Sequence, residues 1–216
     1  MVRTAFVVAS LVLACAPISS AQTVVGGTVG TSRQSEGASD IPYLGPPLGG
    51  NTVSAIGLID FRFKRNTTIG VEASTSGALV GNQTQRAGTA SNAFESRHRD
   101  SVFSGTFKFG RSFGSRVHAA AVAGGGLAWR RTARAGTTQS IFPPSSRQPF
   151  SDTVSDLVPA YSLGGDVGVR LTDRLGVIAI GRWHRLRDDD LASGGVVKRG
   201  ISSTIVRFGA GATFRF

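Results

Sequence analysis

Few side chains in this chain are placed to do chemistry. His184 sits in Trp183-His184-Arg185-Leu186, just ahead of the run Asp188-Asp189-Asp190. A hydroxyl two residues from His184 would share its strand face and could be activated by the imidazole. That position is Leu186, so the pair is lacking, and a hydrogen-bonded histidine inside the fold is expected instead. Three adjacent carboxylates could hold a divalent cation such as Ca²⁺ through oxygen ligands; a solvated acidic loop is the expectation for Asp188 to Asp190. His98 stands between Arg97 and Arg99 and is expected to be exposed on a surface loop. Gly26-Gly27 with Gly30, and Gly124-Gly125-Gly126, are not followed by Lys-Ser/Thr and open no helix, so they are not phosphate loops. Glycines of this kind mark bends or tight packing in strands. No catalytic, cofactor-binding or metal-binding residue is expected.

The elements that carry these residues are strands. Period-two alternation runs through the chain. Over Thr52 to Phe63, Val53, Ala55, Ile59, Phe61 and Phe63 share one face, and Ser54, Asp60 and Arg62 the other. Over Thr67 to Leu79, Ile69, Val71, Ala73 and Leu79 oppose Glu72, Ser74 and Ser76. The same pattern predicts strands over Ser101 to Gly110, Val117 to Arg130, Ala160 to Leu171, Leu175 to Leu186 and Ile201 to Phe216. An eighth, short and Gly-rich, is predicted over Thr23 to Thr31. The connections alternate strictly in length. Long loops are expected over Ser32 to Asn51, Val80 to Asp100, Arg131 to Val158 and Arg187 to Gly200; tight turns fall at Arg65-Asn66, Arg111 to Arg116 and Thr172 to Arg174.

The first 21 residues read as an export address. Arg3 supplies a positive start, Ala5 to Ala16 an apolar stretch too short to span a bilayer, and Ser19-Ser20-Ala21 a small-residue cleavage site. Val12-Leu13-Ala14-Cys15 leaves a second option, a lipid-anchored N-terminus at Cys15. Cys15 is the only cysteine, so cleavage after Ala21 removes any disulfide or thiolate metal site. About 195 residues then remain, the size of one domain. Twenty-nine glycines and one methionine argue against a helical bundle. The net charge of +11 would suit nucleic acid, but export turns the expectation toward anionic lipid and lipopolysaccharide phosphates. The loop arginines Arg97 and Arg99 are candidates for those phosphates.

Three features favour a barrel with its charged face inward. Aromatics sort to the two strand ends, with Phe61, Phe63, Phe107, Phe109, Phe214 and Phe216 near the short turns and Trp129, Tyr161 and Trp183 toward the long loops. The charged face mixes Asp60, Glu72 and Asp166 with Arg62, Arg130, Arg170, Arg182, Arg207 and Arg215 among Gly, Ser and Thr, as a narrow filled lumen requires. A three-residue turn near Arg65 would set Asp60 opposite Glu72 with Arg62 diagonal to both. The last segment, Phe208 to Phe216, ends on an aromatic with apolar residues alternating before it.

That terminal strand resembles the last strand of Gram-negative outer-membrane barrels, and the whole chain after residue 21 resembles the small OmpA/OmpX-like barrel superfamily without a peptidoglycan-binding domain. The resemblance implies an all-β, eight-stranded antiparallel up-and-down transmembrane barrel over residues 22–216 behind a leader at 1–21. It implies an outer-membrane location and recognition of the strand ending at Phe216 by the barrel-assembly machinery. Members of the superfamily differ in function. Barrel enzymes that deacylate lipid A use a His-x-Ser pair facing the lipid, which His184 and Leu186 do not supply. The expected role is non-enzymatic: structural, adhesive or surface-interacting, through the outer loops, in contact with lipid and lipopolysaccharide. The alternatives are a narrow solute channel, a lipid-modifying enzyme, or a soluble periplasmic ligand-binding barrel with its faces reversed.

Overall fold

The computed structural model describes residues 22–36, 49–64, 66–87, 90–140, 147–187, 191–193, 196–198 and 203–216. The leader with Cys15, and the Asp188 to Asp190 run, lie outside them. The described residues form eleven strands: β1 (Thr23–Glu36), β2 (Gly50–Lys64), β3 (Thr67–Ser76), β4 (Leu79–Ala87), β5 (Ala90–Phe113), β6 (Val117–Ser140), β7 (Arg147–Arg170), β8 (Leu175–Leu186), β9 (Leu191–Ser193), β10 (Val196–Lys198) and β11 (Ser203–Arg215). Strands β1, β2, β3, β5, β6, β7, β8 and β11 close into an antiparallel ring, joined by the β1–β11 and β3–β5 ladders. The first and last strands of the ring meet at that seam, where Phe216 N donates to Thr23 O at 3.0 Å.

The register fixes the geometry of the ring. From Val24 on β1, directly opposed partners run through Asp60, Gly70, Thr106, Gly124, Ser162, His184 and Ile205, and return to β1 at Gln34. The walk comes back ten residues along the strand from where it began, a shear of ten for eight strands. Strands so staggered tilt by about 40° to the barrel axis, and an eight-stranded ring has an interior that side chains can fill. Because the stagger is an even number, an inward-facing residue always meets another inward-facing residue around the whole circuit.

The two faces divide as the alternation predicts. Val29 is 73% exposed and Phe63 67% exposed on the outside, while Arg182 and Arg207, at 1% and 0%, are buried inside. This sorting excludes the reversed, soluble arrangement. The outer wall carries Phe63, Phe109, Phe113 and Phe216 beside the short turns, and Trp129 and Tyr161 further along their strands. Phe214 and Phe216 meet edge to face at 4.8 Å. The lumen is not wholly polar. Val102, Ala128, Val158, Ala160, Leu186 and Ile205 form one apolar cluster within it, and Ile56, Leu58 and Ile180 another.

Six sequence expectations need correction. The loops at Val80 to Asp100 and Arg131 to Val158 are largely paired strand: β4 pairs with β5 from Leu79↔His98 to Ala87↔Ala90, and β6 pairs with β7 out to Gln139↔Arg147. On the β6 and β7 extensions both faces are open to water, so hydropathy does not alternate there although the backbone ladder continues, whereas on β5 the inward face stays buried at Phe94, Ser96 and His98. Similarly, β1 runs on to Glu36, past Thr31, and β9 pairs with β10 inside the expected loop after Arg187. The inside–outside phase slips at Gly77-Ala78, so Leu79 points inward and not outward with Ala73. The β2–β3 connection is tighter than the expected three-residue turn, with Lys64 opposite Thr67, and a register shift between Arg62 and Lys64 adds one more residue; Asp60 faces Gly70, and Glu72 faces Leu58.

Packing explains Gly124 and Gly126 of the glycine triplet on β6. A Cβ on Gly126 would overlap the Phe103 carbonyl oxygen of β5, whereas one on Gly125 would meet nothing within 4 Å. Gly126→Val is expected to destabilise the folded barrel by about 1–3 kcal/mol, the usual cost of overpacking against backbone. Gly125→Ala should leave the urea midpoint of the refolded barrel unchanged. Equal midpoints for the two variants would refute this packing account.

Candidate functional site

The charged lumen is built by inward positions on five strands. Lys108 of β5 is its hub, with Nζ 2.9 Å from Asp60 Oδ2, 3.1 Å from Glu72 Oε1 and 2.9 Å from Asp166 Oδ2. Arg182 of β8 closes the group from the other side. Its Nε donates to Glu72 Oε2 at 2.8 Å and its Nη2 to Glu72 Oε1 at 2.5 Å, a bidentate pair; Nη1 lies 2.5 Å from Asp166 Oδ1. The same Nη1 donates to the Gly165 and Gly181 carbonyls. Two cations thus face three carboxylates, all buried. Cross-lumen pairs of this kind block the bore and tie β2, β3, β5, β7 and β8 together.

A second polar layer involves Asp100, which the sequence places in a loop. His98 Nε2 lies 2.9 Å from Asp100 Oδ2, and His98 Nδ1 lies 2.9 Å from Thr132 Oγ1. Arg130 Nε lies 3.5 Å from Asp100 Oδ1, and its Nη2 donates to Ser203 Oγ. Arg207 donates from Nη1 to Ser74 Oγ at 2.5 Å and from Nη2 to the Asp100 carbonyl at 3.3 Å. His98 is therefore not an exposed loop residue; it is 3% exposed and points into the barrel, because the inward parity of Val102 to Lys108 continues back through Asp100 and His98. Carboxylate, imidazole and hydroxyl stand here in the order used for nucleophilic catalysis. All three belong to inward-facing positions within the filled lumen.

His184 is inward as expected, 1% exposed, directly across from Ser162 on β7. Neither ring nitrogen has a hydrogen-bond partner among the described residues, so the hydrogen-bonded histidine expected there is buried without a bond to them. It does not face lipid, and Leu186 beside it is also inward. Arg62 sits at the short-turn mouth, where Nη1 donates to Gln22 Oε1 at 3.4 Å. Among the described residues no group of three or more His, Cys, Asp or Glu is placed to hold a metal ion. Sequence reasoning missed Lys108 as the hub. The signal was present: Lys108 shares the inward face with Ser104 and Thr106 and is the one cation there.

Beyond the barrel proper, the wall continues as a sheet of β4 and the outer halves of β5, β6 and β7. The last three are each 24 residues long, about 80 Å at ~3.3 Å per residue, where about 9–11 residues suffice to cross a membrane. Phe94 and Phe150 meet across Gly136 with centroids 6.0 Å apart, and the Arg134 guanidinium lies 5.9 Å from the Phe94 ring. On its β8 side the β7 ladder ends at Ala160, with one further bond from Arg187 N to Pro159 O at 3.0 Å. Just past Trp129, outward-facing Arg131 sits directly opposite outward-facing Arg99, with Arg97 next along the same face.

With an apolar wall and a charged interior, the protein is a transmembrane barrel. Its structure is similar to that of Ail, the attachment invasion locus protein of Yersinia pestis, at 9% sequence identity and a TM-score of 0.51, covering 92% of this chain and 100% of that one. A major outer membrane protein from Thermus thermophilus aligns at 12% identity and a TM-score of 0.48, over 90% of this chain and 99% of that one. Neisserial surface protein A aligns at 13% and 0.43, over 90% and 97%. At these identities the likeness is one of fold, and the fold is that of the small bacterial outer-membrane barrels. No protein-family model matches the chain, and no curated protein matches it in sequence.

Removing the hub should be costly. Lys108→Met leaves three buried carboxylates with one cation and is expected to destabilise the barrel by about 3–5 kcal/mol, as for other broken buried pairs. Arg97→Ala removes an exposed pair, Arg97 Nε to Glu95 Oε1 at 2.6 Å, and should change stability by less than about 1 kcal/mol. Urea titration of the refolded protein, followed by the gel shift between boiled and unboiled samples, measures both.

Proposed function

We propose that this is a non-enzymatic outer-membrane barrel whose work is done at the cell surface by the β4–β7 sheet, in contact with lipopolysaccharide. The observation that carries the reading is the sheet itself: ladder-paired strands rising well past the membrane belt on a barrel whose bore is filled. A paired sheet displays its residues at a fixed position, and the pairing that holds it is independent of any ligand. Arg99 opposite Arg131 adds the chemistry. Like charges directly across a ladder are unfavourable, and here they face outward one step above the Trp129 girdle, at the level where lipopolysaccharide phosphates lie. Residues 1–21 act as the export leader, and the exposed Phe216 just after β11, edge to face with Phe214, serves as the mark read by the barrel-assembly machinery.

The non-enzymatic reading is supported by the inward burial of His98, Asp100 and His184, which sets them away from lipid and from the outer surface. A narrow channel is the second reading. The Lys108 and Arg182 pairs stand across the bore, and conduction would require them to part.

Shortening the β6–β7 hairpin to a tight turn above Arg131 and Ser155 is expected to leave a heat-modifiable barrel in the outer membrane while abolishing its surface interactions, read as cell adhesion and as exclusion of a bulky dye. Arg99→Gln with Arg131→Gln should weaken capture of purified lipopolysaccharide about tenfold without altering the gel shift; unchanged capture would remove lipopolysaccharide from the reading. In planar bilayers the wild-type protein should give no discrete conductance steps. Reproducible steps would establish the channel instead.

A further inference from the structure

The short-turn mouth of the barrel holds a cavity of about 170 Å³, room for several waters or a phosphate group at ~30 Å³ per water. Five arginines line it: Arg62, Arg116, Arg170, Arg174 and Arg215. Three aspartates share the lining, but Asp60 and Asp166 are already bound to Lys108 on the floor, which leaves Asp173 alone at the rim. Arg62, Arg170 and Arg215 occupy inward positions of β2, β7 and β11 and so point into the lumen mouth, away from the lipid outside the wall. Arg170 and Arg62 are close enough to act electrostatically on Arg215, and Asp173 alone opposes them. Among the described residues no carboxylate lies within ion-pair distance of Arg116, Arg170, Arg174 or Arg215.

Converging guanidiniums repel one another unless an anion sits between them, and their forked donors match the oxygens of a phosphate better than those of a monovalent ion. The Lys108 group seals the inner end, so the cavity opens to the periplasm alone and forms a dead-end cup. We propose that the periplasmic mouth is a binding site for a small, soluble, multiply charged phosphate-type oxyanion, held by Arg170 and Arg215 with Arg62, Arg116 and Arg174 around them. The site lies at the opposite end of the molecule from the β4–β7 sheet, and it stands or falls independently of the surface reading.

The test uses the full mature barrel folded in a maltoside detergent, which carries no phosphate, with inorganic pyrophosphate as probe. Calorimetry should show saturable one-to-one binding that weakens with added salt, and backbone amide shifts should cluster at Arg62, Gly110, Arg170 and Arg215. Arg170→Gln with Arg215→Gln should lower the affinity about tenfold or more. Arg170→Lys with Arg215→Lys, which keeps the charge and removes the fork, should lower it less. Arg147→Gln, at the far end of β7, should leave it unchanged. A gel shift on boiling shows that each variant is folded. Absence of saturable binding, or equal binding by the double glutamine variant, overturns the proposal. So does a third result, in which phosphatidylglycerol vesicles move the mouth amides, phosphatidylcholine vesicles do not, and soluble pyrophosphate has no effect; the ligand would then be a lipid headgroup.

Discussion

Strands crossing hydrocarbon can leave no backbone N–H or C=O without a partner, so the sheet must close on itself. Here it closes with eight strands and a stagger of ten residues, and that choice dictates the interior. A ring this small has no room for a water-filled pore, yet alternation sends every second side chain of every strand into it. The lumen therefore has to be packed, and its contents have to satisfy one another. Closure also brings together residues that the chain separates widely, such as Glu72 and Arg182, 110 positions apart.

Two kinds of filling solve the packing problem in one lumen. Val102, Ala128, Val158, Ala160, Leu186 and Ile205 pack as an ordinary apolar core, while Lys108 and Arg182 are balanced by Asp60, Glu72 and Asp166. Shape alone does not demand charge, since the apolar cluster fills the same bore. What the ion pairs add is directional linkage: one lysine reaches three strands, and one arginine grips Glu72 with both arms of its fork. The large loss expected from breaking such a group comes from stranding its remaining members away from water, more than from the worth of any single bond.

The two ends of the barrel treat arginine differently. At the outer end, Arg99 and Arg131 stand opposite one another and project outward from the wall. At the periplasmic end, Arg62, Arg170 and Arg215 turn into the mouth. The difference is one of strand parity, since a shift of one residue moves a side chain from wall to lumen. The outer end also carries the long β5, β6 and β7 strands, whose ladder outlasts the membrane and ends in a sheet braced by Phe94 and Phe150.

The alternation of residues by itself determined which side chains face inward, where the strands cross the membrane and that the wall is apolar. A strand whose two faces meet lipid and lumen must alternate, and that record is local. Thus Asp60, Glu72, Asp166, Arg182 and Arg207 could be assigned to the lumen without any structure. Where both faces meet water, over Arg131 to Ser140 and Arg147 to Leu157, no alternation is imposed, and the strands there read as loop. The slip at Gly77-Ala78 reversed the phase for Leu79, and the unread extension of β5 hid His98 and Asp100. Which inward residue meets which was decided by the tertiary structure alone. Lys108 finds Asp60, Glu72 and Asp166, and the five arginines gather at one mouth, because the stagger of a closed ring sets the height of every residue. That stagger is a property of all eight strands together.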